Sequence, residues 1–129
     1  MPHRILIADD SPQVRTGIRR MIERHEDWEI CGEAKDGHEA LLKTYELCPD
    51  VIVLDFFMPA TNGIVVAREI AEKCPKTAVV LCSMYLDSQL AGLAREAGIA
   101  GILSKSNAGQ IVNCIETVLR GEKFYASSI

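Results

Sequence analysis

The sequence predicts a single doubly wound α/β domain built on a five-stranded parallel sheet, and three observations predict it. Five short apolar runs recur at intervals of about 25 residues. Between them the apolar residues change to a 3.6-residue period, the mark of helices that bury one side. The first, third and fourth runs are apolar on both faces, as interior strands covered by helices on each side must be.

Each element has its own signal. After the first run, Ile5-Leu6-Ile7-Ala8, Ser11-Pro12 supplies an N-cap hydroxyl and a proline at the first helical position, and Val14, Ile18, Met21 and Ile22 make one stripe. The second run alternates, with Trp28, Ile30 and Gly32 on one side and Glu29, Cys31 and Glu33 on the other, which suits an edge strand. Asp36-Gly37 opens a helix that turns Ala40, Leu41 and Leu47 inward and ends at Pro49. The third run is Val51-Ile52-Val53-Leu54 and the fourth Ala78-Val79-Val80-Leu81. Between them lies a stripe of Ile64, Ala67, Ile70, Ala71 and Cys74, stopped by Pro75. Leu90, Leu93, Ala94 and Ala97, closed by Gly98, lead into the fifth run at 99–103. Ile111, Val112, Ile115, Val118 and Leu119 make the last helix, with Gly121 as its stop.

Composition narrows the class. A chain of 129 residues, 48% hydrophobic and 25% charged, suits one globular domain with a covered core. Its longest apolar runs fall far short of the roughly 20 residues that span a bilayer. Met1-Pro2-His3-Arg4 leads straight into the first run with no signal-peptide pattern, so a cytoplasmic location is expected, with no membrane contact. Cys31, Cys48, Cys74, Cys82 and Cys114 are scattered, with no Cys-x-x-Cys spacing, and read as buried reduced thiols. A net charge of −4 argues against nucleic acid binding by this domain, because backbone phosphates demand clustered cations.

The polar residues that follow the apolar runs carry the chemistry. Asp9-Asp10 follows the first, Asp55 the third, Ser83 the fourth and Lys105 the fifth. Right-handed crossovers put all of them on one edge of the sheet, at the carboxyl ends of the strands. Three carboxylates that converge repel one another by about 1–4 kcal/mol per pair at intermediate dielectric. A hard divalent cation such as Mg²⁺ offsets that repulsion, and it is usually held by one or two carboxylates plus phosphate and water. Lys105 then supplies a point charge and Ser83 a hydroxyl donor for phosphate oxygens, with Asp55 as a nucleophile that forms an aspartyl phosphate. Taken singly, Asp9-Asp10 reads as a helix N-terminal charge pair, Lys105 as a surface lysine and Ser83 as a strand-end hydroxyl. Met58-Pro59 and Gly63 read as turn chemistry.

Over essentially its whole length the chain resembles the receiver domain of bacterial two-component response regulators. The matching pieces are Ile7-Ala8-Asp9-Asp10-Ser11, Lys35-Asp36-Gly37-His38-Glu39-Ala40-Leu41, Asp50-Val51-Ile52-Val53-Leu54-Asp55, Met58-Pro59 with Gly63, Ser83, and Leu103-Ser104-Lys105. The resemblance implies a flavodoxin-like fold with strand order 2-1-3-4-5. It also implies Mg²⁺ held by Asp9, Asp10, Asp55 and the backbone carbonyl of Phe57, and a phosphoryl group gripped by Ser83 and Lys105. The donor it implies is a histidine kinase or a small phosphodonor, with room for a homodimer formed on phosphorylation. No enzymatic activity beyond self-phosphorylation and slow self-dephosphorylation is expected.

Ser106 after Lys105, and Arg120-Gly121-Glu122-Lys123-Phe124-Tyr125 after the last helix, resemble the NarL/LuxR-type branch. Residues 1–121 are then the receiver, and 122–129 begin a linker to a DNA-binding helix-turn-helix domain that this chain does not include. That arrangement is favoured over a stand-alone receiver. Ile102 occupies a position where the family often has an aromatic switch residue, and Met84 replaces a smaller residue beside the phosphate pocket. Arg15, Arg19, Arg20 and Arg24 form a basic strip that reads as a solvated face, with kinase docking as the sharper alternative.

Three other functions fit the sequence less well, and one of them, a receiver-like interaction module that is never phosphorylated, is disfavoured by the complete set of acids, hydroxyl and lysine. A phosphohydrolase with an aspartate nucleophile carries Asp-x-Asp after its first strand, whereas Asp55-Phe56-Phe57 follows the third here. A flavin carrier needs a phosphate loop rich in glycine and hydroxyls after the first strand, where Asp9-Asp10 would repel phosphate.

Overall fold

Alternating side chains along the strands sort the core into two layers. Leu6, Ala8, Ile52, Leu54, Val79, Leu81 and Ile102 pack on one side of the sheet. Ile5, Ile7, Val51, Val53, Val80, Cys82 and Leu103 pack on the other. Both sets are almost completely buried, so this sheet is covered on both faces, as its apolar runs require.

A computed structural model describes residues 2–125. The elements are β1 (His3–Ala8), α1 (Pro12–Glu23), β2 (Trp28–Ala34), α2 (Gly37–Leu47), β3 (Val51–Leu54), β4 (Phe57–Met58), β5 (Thr61–Asn62), α3 (Gly63–Lys73), β6 (Ala78–Ser83), α4 (Ser88–Glu96), β7 (Gly101–Ser104), a 3₁₀ turn (Lys105–Gln110), α5 (Ile111–Leu119) and β8 (Phe124–Tyr125). The main sheet runs β2-β1-β3-β6-β7-β8 with every pairing parallel. Its first five strands reproduce the expected 2-1-3-4-5 order, with β2 at one edge. Helices α1 and α5 cover one face through Ile18, Ile22, Ile111, Cys114, Ile115 and Val118. Helices α2, α3 and α4 cover the other through Ala40, Ile64, Val66, Ala67, Ile70 and Ala94.

Side-chain caps start four of the helices. Ser11, Asp36, Asn62 and Asp87 each accept from the backbone N–H three residues on, at 2.8–3.3 Å.

The structure departs from the sequence-based expectation in several places. Phe57–Met58 and Thr61–Asn62 form a small antiparallel hairpin after β3, turning at Ala60 with φ +69°. Phe124–Tyr125, expected in the linker, pair with Gly101–Ile102 and add a sixth strand; positions 126–129 of that stretch lie outside the described residues. In α3, Ala71 is exposed and Val66 takes the inward place; in α4, Leu93 is exposed and Ala91 is buried. Of the cysteines, Cys82 and Cys114 are buried, whereas Cys48 is exposed and Cys31 and Cys74 are half-buried.

Gly63 shows how tightly the hairpin is folded back. A β-carbon there would lie 2.5 Å from the Asp55 carbonyl oxygen and 3.0 Å from the Phe56 α-carbon. Both obstacles are backbone and cannot rotate away. Gly63→Ala should therefore cost about 1–3 kcal/mol, the scale of an overpacked contact, in urea unfolding. Gly17→Ala in α1, where no atom lies within 4 Å, should gain up to about 1 kcal/mol from helix propensity. Equal effects at the two sites would show that the close approach at Gly63 is not tight.

Candidate functional site

The carboxyl ends of β1, β3, β6 and β7 meet at one place. Asp9 and Asp55, directly after β1 and β3, are 2% and 4% exposed, and Ser83 at the end of β6 is fully buried. Asp10 stands beside them in solvent. One carboxylate oxygen from each of Asp9, Asp10 and Asp55 lies within 4.8 Å of the other two. Lys105, directly after β7, places its Nζ 2.7 Å from Asp9 Oδ2 and 3.0 Å from Asp55 Oδ2. Four of the five polar side chains expected at this edge, Asp9, Asp10, Asp55 and Lys105, are therefore brought together, and Ser83 ends the neighbouring strand β6 opposite Ser104.

Local structure aims each one. Asp9 is fixed at four points. Its N–H donates to the Ala34 carbonyl at 3.0 Å, and its carbonyl accepts from Arg15 Nη1 at 2.6 Å. Its Oδ1 accepts from the Ser11 N–H at 2.9 Å, while Oδ2 faces Lys105. The Asp55 N–H donates to the Ala8 carbonyl at 3.1 Å, so Asp55 continues the ladder from β1. Lys105 begins the 3₁₀ turn between two serines whose hydroxyls lie 2.8 Å apart, and Ser104 Oγ caps that turn at the Ser106 N–H.

Charge at the site is unbalanced. Burial pushes the Asp55 carboxyl above its ordinary value; the Asp9 charge adds to this, and Lys105 opposes it. Burial alone would lower Lys105, but hydrogen bonds to Asp9 and Asp55 hold its ammonium above the usual lysine value. Burial also pushes the neighbouring Cys82 thiol up to about 12, which leaves it neutral. Among the described residues, two buried side-chain oxygens find no hydrogen-bond partner: Asp55 Oδ1 and Ser83 Oγ. Each such atom costs about 1–3 kcal/mol unless something binds it.

The approach to the site is aromatic. Phe57 is half-exposed and meets Phe56 and Tyr85 edge-on, with ring centroids 4.8 and 6.1 Å away. Met84 and Tyr85 are open to solvent. A cavity of about 490 Å³ opens beside Asp10, walled by Phe56, Phe57, Met58 and Pro59. A second cavity, lined by His3, His25, Trp28 and Glu116, lies at the amino ends of the strands, away from this chemistry.

Comparison with known proteins fits this geometry. A model of the response regulator receiver domain matches residues 5–116. The chain belongs to that family. Curated relatives include the response regulator UvrY of Escherichia coli, 32% identical over 97% of this chain and 58% of its own. The oxygen regulatory protein NreC of Staphylococcus epidermidis is 35% identical over 94% of this chain and 56% of its own. The receiver thus spans somewhat more than half the length of the relatives it matches. Among solved structures, a LuxR-family regulator from Aurantimonas superposes with a TM-score of 0.92 at 34% identity, covering 98% of this chain and 91% of that one. The signal receiver domain of NarL from Mycobacterium tuberculosis gives 0.88 at 31% identity, covering 94% and 98%. These matches place the receiver in the NarL/LuxR-type branch.

Sequence reasoning treated the arginines of α1 as one solvated strip. The structure divides them. Arg15 and Arg19 both bind the Glu33 carboxylate of β2, at 2.9 and 2.6 Å, while Arg20 and Arg24 are exposed with no ion pair among the described residues. The four-residue spacing puts Arg15 and Arg19 on one helix face, but their shared acid comes from a strand that spacing alone does not locate.

Folding disfavours a charged Asp55, so removing that charge should stabilise the metal-free receiver. Because the folded-state pKa is raised, wild type and Asp55→Asn should converge in acid, below the unfolded carboxylate pKa of about 4. As pH rises through the folded value, wild type should fall behind. At neutral pH the variant should be more stable by roughly 1 kcal/mol, the scale of one relieved carboxylate repulsion. Urea unfolding in chelator across that pH range measures the gap. A less stable variant at neutral pH would mean that the Lys105 ion pair outweighs burial.

Proposed function

We propose that Asp55 accepts a phosphoryl group and that this receiver works as a phosphorylation-dependent switch. The observation that supports it most directly is the pair of unpartnered buried oxygens, Asp55 Oδ1 and Ser83 Oγ, with Asp55 beside Lys105 and two further carboxylates. One is a nucleophile with a free lone pair, and the other a hydroxyl with a free donor.

The donor set suits Mg²⁺. Asp9, Asp10 and Asp55 offer hard oxygen ligands, and the backbone carbonyl of Phe57 is the fourth protein ligand implied by the family resemblance. When bound, Mg²⁺ supplies charge neutralisation and polarisation of a phosphoryl oxygen. The chain's own residues do the rest. Asp55 Oδ1 attacks phosphorus while the bond from phosphorus to the donor's leaving group breaks, so a histidine donor departs as imidazole and an acyl phosphate as carboxylate. Lys105 exchanges its carboxylate contact for a phosphoryl oxygen, and Ser83 donates its hydroxyl to another. Catalysis consists of positioning and electrostatics, which is what phosphoryl transfer asks of a protein.

A histidine kinase is the donor this reading implies, in the cytoplasm where such kinases present their phosphohistidine. Longer relatives, of which this chain covers 56–58%, are named as regulators and support a transcriptional output through a DNA-binding domain beyond this receiver, with a homodimer on phosphorylation as a route to it.

Incubation with acetyl phosphate and Mg²⁺ should label the receiver with one phosphoryl group per chain, read by intact mass. Asp55→Asn should abolish the label; equal labelling of the variant would remove Asp55 from this role.

Phe57 should set how long the label lasts. Hydrolysis needs a water in line with phosphorus, opposite Asp55, and a half-exposed Phe57 ring packed edge-on toward Tyr85 offers that water bulk and no hydrogen bond. Phe57→Asn should shorten the phosphoprotein half-life several-fold after the donor is removed, at one Mg²⁺ concentration. Equal or slower decay would show that Phe57 does not control water access.

A further inference from the structure

We propose that Arg15, anchored by Glu33, is a positioning residue for the acid pair that binds the cation. It holds the Asp9–Asp10 peptide in the one orientation that points both carboxylates into the site. The inference rests on the Mg²⁺ reading above and extends it to residues outside the ligand set.

The two acids differ in how they are held. The Asp9 side chain is fixed by Ser11 and Lys105. No hydrogen bond or ion pair among the described residues orients the exposed Asp10 carboxylate, so its direction follows from the backbone alone. The peptide that sets this direction carries the Asp9 carbonyl. That oxygen accepts from Arg15 Nη1 at 2.6 Å, and no other hydrogen bond to it is seen among the described residues. Arg15 could not hold this place by itself, because a long side chain on a helix has rotamer freedom to lose. Glu33 removes that freedom. Its Oε1 accepts from Arg15 Nε at 2.9 Å, and its Oε2 from Arg19 Nε at 2.8 Å. Lys43 of α2 binds the Glu33 carbonyl, so the anchor is fixed at its backbone as well. Although burial works the other way, the guanidiniums of Arg19 and Arg15 keep the Glu33 carboxyl below its ordinary range, so it stays ionised.

The route is thus Glu33 on the edge strand, Arg15 on α1, the Asp9 carbonyl and finally the Asp10 carboxylate. Residues that orient metal ligands without touching the metal commonly change affinity by about 10–100-fold when removed.

The sign of the effect separates positioning from charge. A guanidinium close to a cation site repels the cation, so if Arg15 acted only through its charge, neutralising it would tighten binding. Positioning demands the reverse. The test is calorimetric titration of the 129-residue chain with MgCl₂ alone, for wild type, Asp10→Asn, Arg15→Met, Arg15→Lys and Glu33→Gln, with circular dichroism confirming the fold of each. Binding by wild type and its loss in Asp10→Asn establish the Mg²⁺ reading; failure there sinks that reading and this inference with it. Given that control, Arg15→Met should weaken Mg²⁺ by about tenfold. Arg15→Lys, which keeps a donor for the carbonyl, should recover part of that loss. Glu33→Gln should weaken binding by less than Arg15→Met, and it serves as the readout should Arg15→Met fail to fold. Unchanged or tighter Mg²⁺ binding in folded Arg15→Met overturns the proposal, as does unchanged binding in Glu33→Gln if that variant alone is folded.

Discussion

A single ammonium stands between two buried carboxylates, and much of the molecule is arranged around that imbalance. Lys105 lies 2.7 Å from Asp9 and 3.0 Å from Asp55, with Asp10 close by, so one positive charge faces three negative ones. Such a cluster survives only where the backbone forbids the acids to move apart. The parallel sheet does this. Asp9 and Asp55 hydrogen-bond through their N–H groups to Ala34 and Ala8, and each therefore extends a ladder of the central strand β1, whose residues Ile5–Ala8 are buried on both faces. Separating the carboxylates would break those ladders. The core thus holds in place a repulsion that a cation bound there would relieve.

The same constraint explains the loop after β3. The chain must leave Asp55, form the Phe57–Met58 and Thr61–Asn62 hairpin, and return within eight residues to begin α3 against the Asp55 carbonyl. Only a residue without a β-carbon fits at Gly63. The Gly63 N–H donates to the Phe56 carbonyl at 2.8 Å and closes the loop. This geometry leaves Phe57 at the rim of the site with its side chain half in solvent, so one residue contributes a carbonyl to the proposed cation site and a ring to the approach path.

Much of this was legible in the sequence, for physical reasons. Interior parallel strands bury both faces, so their apolar runs stand out, and whatever polar residue follows each run must surface at one edge. Asp9, Asp10, Asp55, Ser83 and Lys105 were found in that way. What escaped was tertiary. A hairpin of two-residue strands such as 57–62 has no periodicity to detect, and β8 pairs because Phe124 and Tyr125 find the free edge of β7, which depends on where α5 delivers the chain. Ala71 and Leu93 sat on plausible stripes, but the inward face of α4 is made by Ala91 and Ala94, and Leu93 was left outside. Arg15 and Arg19 were visible as cations; that they share Glu33 depends on the packing of α1 against β2.

On the proposed reading, occupancy of the site has to reach the rest of the receiver with Ile102 in place of the expected aromatic. Ile102 is fully buried among the residues that pack beneath α2, α3 and α4, so it has no outward position to swing from. The strand register offers another path. Ser83 pairs with Ser104, directly before Lys105, so the proposed hydroxyl and lysine contacts to a phosphoryl group act on neighbouring strand ends. One strand further on, Ile102 pairs with Tyr125, whose hydroxyl donates to the Ile99 carbonyl at 3.2 Å and whose ring lies under Arg95 of α4 at 4.9 Å. A continuous hydrogen-bonded ladder thus joins the strand ends at the site to β8, and Tyr125 joins it to α4.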